Sequence, residues 1–195
     1  MDVQWDDKRT KQIATSVGIV SSDGPHGPNA MAAEWTHQVS YAPALLMINV
    51  KLSTATCDNI LASKEFGVSL AAGDQNILAS IMGTTTGKEV DKIALLKKMG
   101  FETYAGKKIK ALMIKGAAMN AECKLVESRQ MGDRMMFLGE IVELSADESK
   151  QPVVYQAGSF WNMGEKLERP PASIIEEIQK LKDKYRKKDK PEGTE

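Results

Sequence analysis

The feature that most constrains this 195-residue chain is a succession of short apolar runs, each cut off by turn residues before it could cross a membrane or complete a long helix. Ile13 to Ser21 reads as a strand closed by the turn Ser22-Asp23-Gly24-Pro25-His26-Gly27-Pro28. Ala30 to Thr36 and Ala44 to Val50 read as two more, the second apolar at almost every position, as in a strand covered on both faces. Phe66, Val68 and Leu70 alternate with small or polar residues, which predicts a half-buried strand. Strand character returns at Met119, Ala121, Cys123 and Leu125 and again over Met135 to Leu144, with Arg129 to Arg134 as the hairpin connection. Consecutive strands on short turns favour an antiparallel barrel over a parallel sheet.

Helices interrupt the strands at three places. Ser53-Thr54 offers a cap for a helix over Thr56 to Lys64, and Asp74 does so for Gln75 to Met82. Glu89 to Met99 puts Val90, Ile93, Ala94 and Leu96 near one face and stops at Gly100. After Pro170-Pro171, residues Ile174, Ile178, Leu181 and Tyr185 recur at helical spacing, an apolar stripe expected to dock on the body or on a partner. The expected division is a main domain over 1–170, an amphipathic helix over 171–188 and a charged, unstructured tail over 189–195.

Charge and cysteine usage exclude several classes of function. Lys plus Arg (26) equals Asp plus Glu (26), and no basic stripe stands out, so a nucleic-acid partner is not expected. Met1 to Lys11 is polar and no apolar run reaches spanning length, so neither a secretory leader nor a membrane segment is expected. Cys57 and Cys123 fit neither a metal pattern nor a disulfide framework, and His26 and His37 lack metal-binding spacing. No nucleophile elbow or triad spacing occurs. The expectation is a cytoplasmic protein with a small-molecule ligand and no metal.

The order of particular segments says more. Gly27-Pro28-Asn29-Ala30-Met31-Ala32-Ala33-Glu34-Trp35-Thr36 leads to Val39-Ser40 and Pro43, then to Ser53-Thr54-Ala55-Thr56, Asn59-Ile60 and Glu65-Phe66-Gly67-Val68. Gly87-Lys88-Glu89-Val90-Asp91-Lys92, Ala121-Glu122-Cys123, Gly132-Asp133 and Phe137-Leu138-Gly139-Glu140-Ile141-Val142 follow. This order, over roughly Ile13 to Gly164, resembles the flavin-reductase-like family of FMN-binding split barrels, which includes flavoredoxins. The resemblance implies a mainly β, Greek-key split β-barrel with peripheral helices. It also implies a homodimer and FMN as cofactor, with hydride or electrons passed through the flavin and no side chain essential as acid or base. NAD(P)H is the implied donor, the protein then being an NAD(P)H:flavin oxidoreductase. The alternative is a non-catalytic, flavoredoxin-like carrier that exchanges electrons with redox proteins.

Site residues follow from this resemblance and from local chemistry. Lys51, Ser53, Thr54 and Thr56 stand before or in the first turn of a helix, where free N–H groups and the dipole favour a phosphate; plain helix capping explains the hydroxyls as well. Asn29, Ala30, Met31, Ala32, Ala33, Glu34, Trp35 and Thr36 form the segment implied to pack on the flavin ring, with Trp35 also readable as core and Asn29 as a turn residue. Asn49 and Val50 fall on the strand implied to run under the ring, and Asn59 lies in the matching helix. Thr85, Gly87 and Lys88 belong to a polar loop whose spacing is not that of a P-loop, and which serves equally as a helix cap. Trp161 is implied to shield the ring or to seal the dimer. Arg134 departs from the family pattern, which often has histidine after Gly-Asp beside the nicotinamide; that departure weakens the case for direct NAD(P)H oxidation but not for FMN.

Overall fold

Two strand edges that are neighbours in sequence determine the shape of the sheet. In the computed structural model, which describes residues 2–4 and 7–186, the strands are β1 (Thr15–Ser16), β2 (Gly18–Ser22), β3 (Asn29–Ala33), β4 (Thr36–Tyr41), β5 (Ala44–Lys51) and β6 (Glu65–Leu70), followed by β7 (Thr103–Ala105), β8 (Leu112–Ile114), β9 (Met119–Met131), β10 (Arg134–Ala146), β11 (Val154–Gln156) and β12 (Ser159–Trp161). Seven of them form one sheet in the order β3-β2-β6-β9-β10-β5-β4, with every pairing antiparallel. Its edges, β3 and β4, are joined through Glu34 and Trp35 alone, so the sheet has to curl until its ends approach one another. They do not pair, and the result is a split barrel rather than a closed one. The mainly β, Greek-key class read from the sequence is the observed one.

The helices are α1 (Ala55–Ser63), α2 (Asn76–Thr84), α3 (Lys92–Lys98) and α4 (Ala172–Lys184). Thr54 caps α1, its hydroxyl accepting from the Cys57 N–H at 3.2 Å, and Lys64 ends it in the left-handed conformation. Two large apolar clusters and a small third one, of Ile109, Ala111 and Met113, fill the body. One large cluster gathers Val20, Ile48, Val50, Ile60, Phe66, Val68 and Phe137 inside the curled sheet, and the other packs Leu78, Met82 and Leu96 of α2 and α3 against Ile19 and Ala30. The chain divides into a unit of Met1–Met163 and a second of Gly164–Glu195, which contains α4 with Ile174, Ile178 and Leu181 recurring along it. The tail expected over 189–195, and the last two positions of the helix expected over 171–188, lie outside the described residues.

Several elements differ from the sequence reading for identifiable reasons. The strand expected over Ala30 to Thr36 is two strands, because Thr36 leaves β3 to pair with Ile48 of β5 and so starts β4. β6 is buried on both faces rather than half-buried, since it pairs on either side with β2 and β9 and its second face is covered. A Cβ on Gly67 would come within 2.5 Å of Met113 Sδ on β8, a strand that short polar flanks hid in the sequence. The helix expected from Glu89 begins at Lys92, because Asp91 is the better cap and accepts from the Ala94 N–H at 2.9 Å. The helix expected from Gln75 opens with a 3-10 turn over Gly73–Gln75 before α2 takes over. The Arg129 to Arg134 connection shrinks to Gly132-Asp133, with Gly132 at a φ of +61°.

Candidate functional site

A cavity of about 470 Å³, within the range of small-molecule sites, opens where the start of α1, the end of α2 and the loop after it face β3, β5 and β10. Strand alternation decides which residues reach it. Asn29 and Met31 of β3 line it while Ala30 between them enters the core, and Asn49 and Lys51 of β5 line it while Val50 points the other way. Ala32, Ala33, Glu34 and Trp35 continue the wall.

One corner is polar and nearly sealed. Thr56 is buried at the first turn of α1, and its hydroxyl accepts a 2.8 Å hydrogen bond from Asn29 Nδ2. That leaves the hydroxyl proton of Thr56 uncommitted and Asn29 Oδ1 buried without a partner. Thr54 gives its proton to the Lys51 carbonyl at 2.9 Å, so its hydroxyl is taken up by the cap that the sequence offered as the plainer reading. The backbone N–H groups of Ala55 and Thr56 point out of the helix end with no hydrogen-bond partner among the described residues. Gly87 closes the corner, and a Cβ there would stand 2.2 Å from Asn29 Oδ1 and 3.3 Å from Ala55 Cβ. Thr85 and Gly87 both line the cavity.

Lys92, which the sequence reading did not single out, forms the floor of this corner. Its ammonium is buried and donates to the Met82 carbonyl at 2.8 Å and to the Thr85 carbonyl at 3.0 Å, fastening the end of α2 to the loop. Burial pushes its pKa down to about 8. An apolar stripe hides a lysine of this kind in sequence, because its partners are carbonyls that no residue pattern records.

The opposite wall is aromatic and less tied down. The Arg134 guanidinium lies 4.7 Å from the centre of the Trp35 ring, and Tyr155 and Phe160 pack at a tilt of 58° with ring centres 5.3 Å apart. Glu34 also lines this wall and interacts electrostatically with both Arg134 and Tyr155. Desolvation raises its pKa, with Lys11 and Arg134 pulling the other way. Tyr155 is raised too, by burial first and by Glu34 second.

The remaining residues singled out in the sequence do not reach the cavity. Thr36 is buried and donates to the Ala33 carbonyl at 3.2 Å, pinning the turn between the sheet edges. Asn59 braces the Gly24 to Gly27 turn, accepting from the His26 N–H at 3.0 Å and donating to the Gly27 carbonyl at 2.9 Å. Ser53 is exposed, and Lys88 pairs with Asp58 at 2.9 Å on the outside of α1. Trp161 is 55% exposed; in β12 the neighbouring Phe160 takes the inward position. Conversely Ala79, Ser80, Met82 and Gly83 of α2 line the cavity with no signal in the sequence, since only the packing of α2 on β3 brings them there.

The profile of the Flavin reductase like domain matches residues 10–164, and the chain belongs to that family. A protein of Archaeoglobus fulgidus is 30% identical over 124 residues, 63% of this chain and 67% of that one. An NADH-dependent flavin reductase of Rhodococcus is 25% identical over 148 residues, 76% of each chain. The solved flavoredoxin of Methanosarcina acetivorans shares the fold with a TM-score of 0.74 at 22% identity, covering 89% of this chain and 96% of its own. So does the NADH:FAD oxidoreductase SgcE6 of Streptomyces globisporus, at 0.74 and 22%, covering 85% and 98%.

Proposed function

We propose that the cavity holds a flavin, FMN in particular, and that the protein is an NAD(P)H:flavin oxidoreductase acting as a cytoplasmic homodimer. The observation that carries this reading is the polar corner. Two free N–H groups at a helix start, a spare Thr56 proton and a glycine that keeps side chains out together fit a phosphate ester. The adjoining small residues and aromatics fit the edge and face of a flat ring. Thr56, Ala55 and the Gly87 loop would hold the phosphate end, with Thr54 fixing the helix start as its cap, while Ala32 to Trp35, Asn49 and Phe160 would orient the ring end. When bound, the flavin supplies the hydride and electron chemistry. The chain's own part is to bind, orient and exclude water. Exposed apolar side chains along the sheet, among them Val39, Tyr41, Val126 and Leu144, support a paired assembly. No helix among the described residues is long and apolar enough to cross a membrane.

The test has two parts. Titration of FMN fluorescence against the wild type and a Thr56→Ala variant should show binding to the former and at least tenfold weaker binding to the latter, which is about 1.4 kcal/mol. Anaerobic mixing of the flavin-loaded protein with NADH or NADPH should bleach the flavin band within a turnover. Ready reduction by a ferredoxin, with no bleaching by either nucleotide, would replace the enzyme by the electron carrier. Absence of FMN binding rejects the site.

A further inference from the structure

Across the antiparallel β5–β10 pair, Arg134 stands directly opposite Lys51, and both line the cavity. Such partners have Cα atoms about 4.5–5.5 Å apart, and like charges placed so destabilise the pair. Among the described residues no carboxylate cancels the two charges fully. Lys51 has no ion pair or side-chain hydrogen bond among the described residues. Arg134 has Asp133 Oδ2 at 3.3 Å from Nε without hydrogen-bond geometry, and Asp133 is 81% exposed. The other facing carboxylate, Glu34, is itself pushed toward its neutral form by burial. The guanidinium is nonetheless held in place by the Trp35 ring, and among the described residues its terminal nitrogens have no hydrogen bond. A stacked, unspent guanidinium presents a planar fork suited to a phosphate.

Its position narrows the ligand further. The Lys51 carbonyl receives both the N–H and the hydroxyl of Thr54, at 3.2 and 2.9 Å, so one tight turn ties the cation pair to the start of α1. An anion held by Lys51 and Arg134 would therefore be the neighbour of one held by Ala55 and Thr56. We propose that Lys51 and Arg134 form a second phosphate subsite, which makes the cavity selective for the diphosphate of a dinucleotide. The inference builds on the flavin reading but concerns different residues. The diphosphate has two possible sources, the flavin itself as FAD or the nicotinamide dinucleotide.

Calorimetric titration of the purified protein with inorganic pyrophosphate and with inorganic phosphate tests the subsite without any flavin. The wild type should prefer pyrophosphate by about tenfold or more, a step of about 1.4 kcal/mol. Lys51→Gln and Arg134→Gln should each remove most of that preference, and Arg134→Lys, which keeps the charge and loses the fork, should restore only part. Fluorescence titration with FAD and FMN, and NAD⁺ binding to the FMN-loaded protein, then separate the sources. An FAD-over-FMN advantage that vanishes in Arg134→Gln assigns the subsite to the flavin, and weakened NAD⁺ binding at unchanged FAD and FMN affinity assigns it to the nicotinamide. A pyrophosphate preference equal in wild type and both Gln variants overturns the subsite. A wild type that prefers pyrophosphate but binds no flavin rejects the proposed function and leaves the subsite standing.

Discussion

The two walls of the cavity are built on opposite terms. At the Thr56–Asn29–Gly87 corner, hydrogen bonds and close packing fix almost every atom, and the few donors left over converge on one small volume. At the Trp35–Arg134 wall, the side chains are held by ring contacts and a weakly compensated charge, and their hydrogen-bonding capacity remains largely open. Atoms fixed in advance lose little freedom on binding, so the corner suits retention of a constant group. Groups with open valences suit discrimination between partners, because a wrong partner leaves them unpaired.

That contrast can be broken most forcefully at Lys92. Unfolded, this lysine keeps its proton up to about 10.5; folded, it releases it near 8. Between those values the unfolded chain binds the extra proton, so Lys92 makes folding more favourable as pH rises, by up to about 3 kcal/mol across the window. Urea melts of the wild type and Lys92→Met at pH 7, 8.5 and 10 should diverge in favour of the wild type as pH increases. A constant difference would show that the corner is not desolvated.

Gly87→Ala comes next. With only 2.2 Å between its new Cβ and Asn29 Oδ1, the variant must displace the amide, at about 1–3 kcal/mol. Both the melting temperature and FMN affinity should fall. Unchanged FMN affinity alongside a lower melting temperature would separate the corner from the ligand. Thr56→Val is expected to have a smaller effect, about 1–2 kcal/mol, from a buried amide deprived of its 2.8 Å acceptor. Denaturant midpoints would register it, and Thr56→Ser should recover most of the loss.

The smallest effect should come from Lys88→Gln. Lys88 pairs with Asp58 on an exposed helix surface, a contact worth less than about 1 kcal/mol, and does not line the cavity. FMN titration that moves no more than about threefold, under 0.7 kcal/mol, keeps Lys88 outside the site. A larger change would mean that the sealed corner extends to the outer face of α1.

Much of this was legible in the residues before any coordinates. The apolar runs at Ile19–Val20, Ile48 and Val50 and the alternation at Phe66 and Val68 specified strands, because period-two burial leaves a direct trace in sequence. Thr54 announced a helix start, since caps are local chemistry, whereas for α3 the sequence predicts a start at Glu89 and misses the cap, Asp91. The family's segments pointed at Asn29, Trp35, Thr56 and Gly87, and local charge pointed at Lys51, all of which line one cavity. Illegible were the contacts made between distant segments. The order β3-β2-β6-β9-β10-β5-β4 follows from which edges meet, a non-local matter, and it sets Arg134 opposite Lys51, while the packing of α2 on β3 moves Ala79, Ser80, Met82 and Gly83 into the wall. The same holds for the choice of Phe160 over Trp161, which one residue of strand phase decides. Sequence by itself determined the class of fold and the chemistry available to this protein. Tertiary structure decided which of those groups face one another, because burial and pairing depend on neighbours that the chain brings from far away.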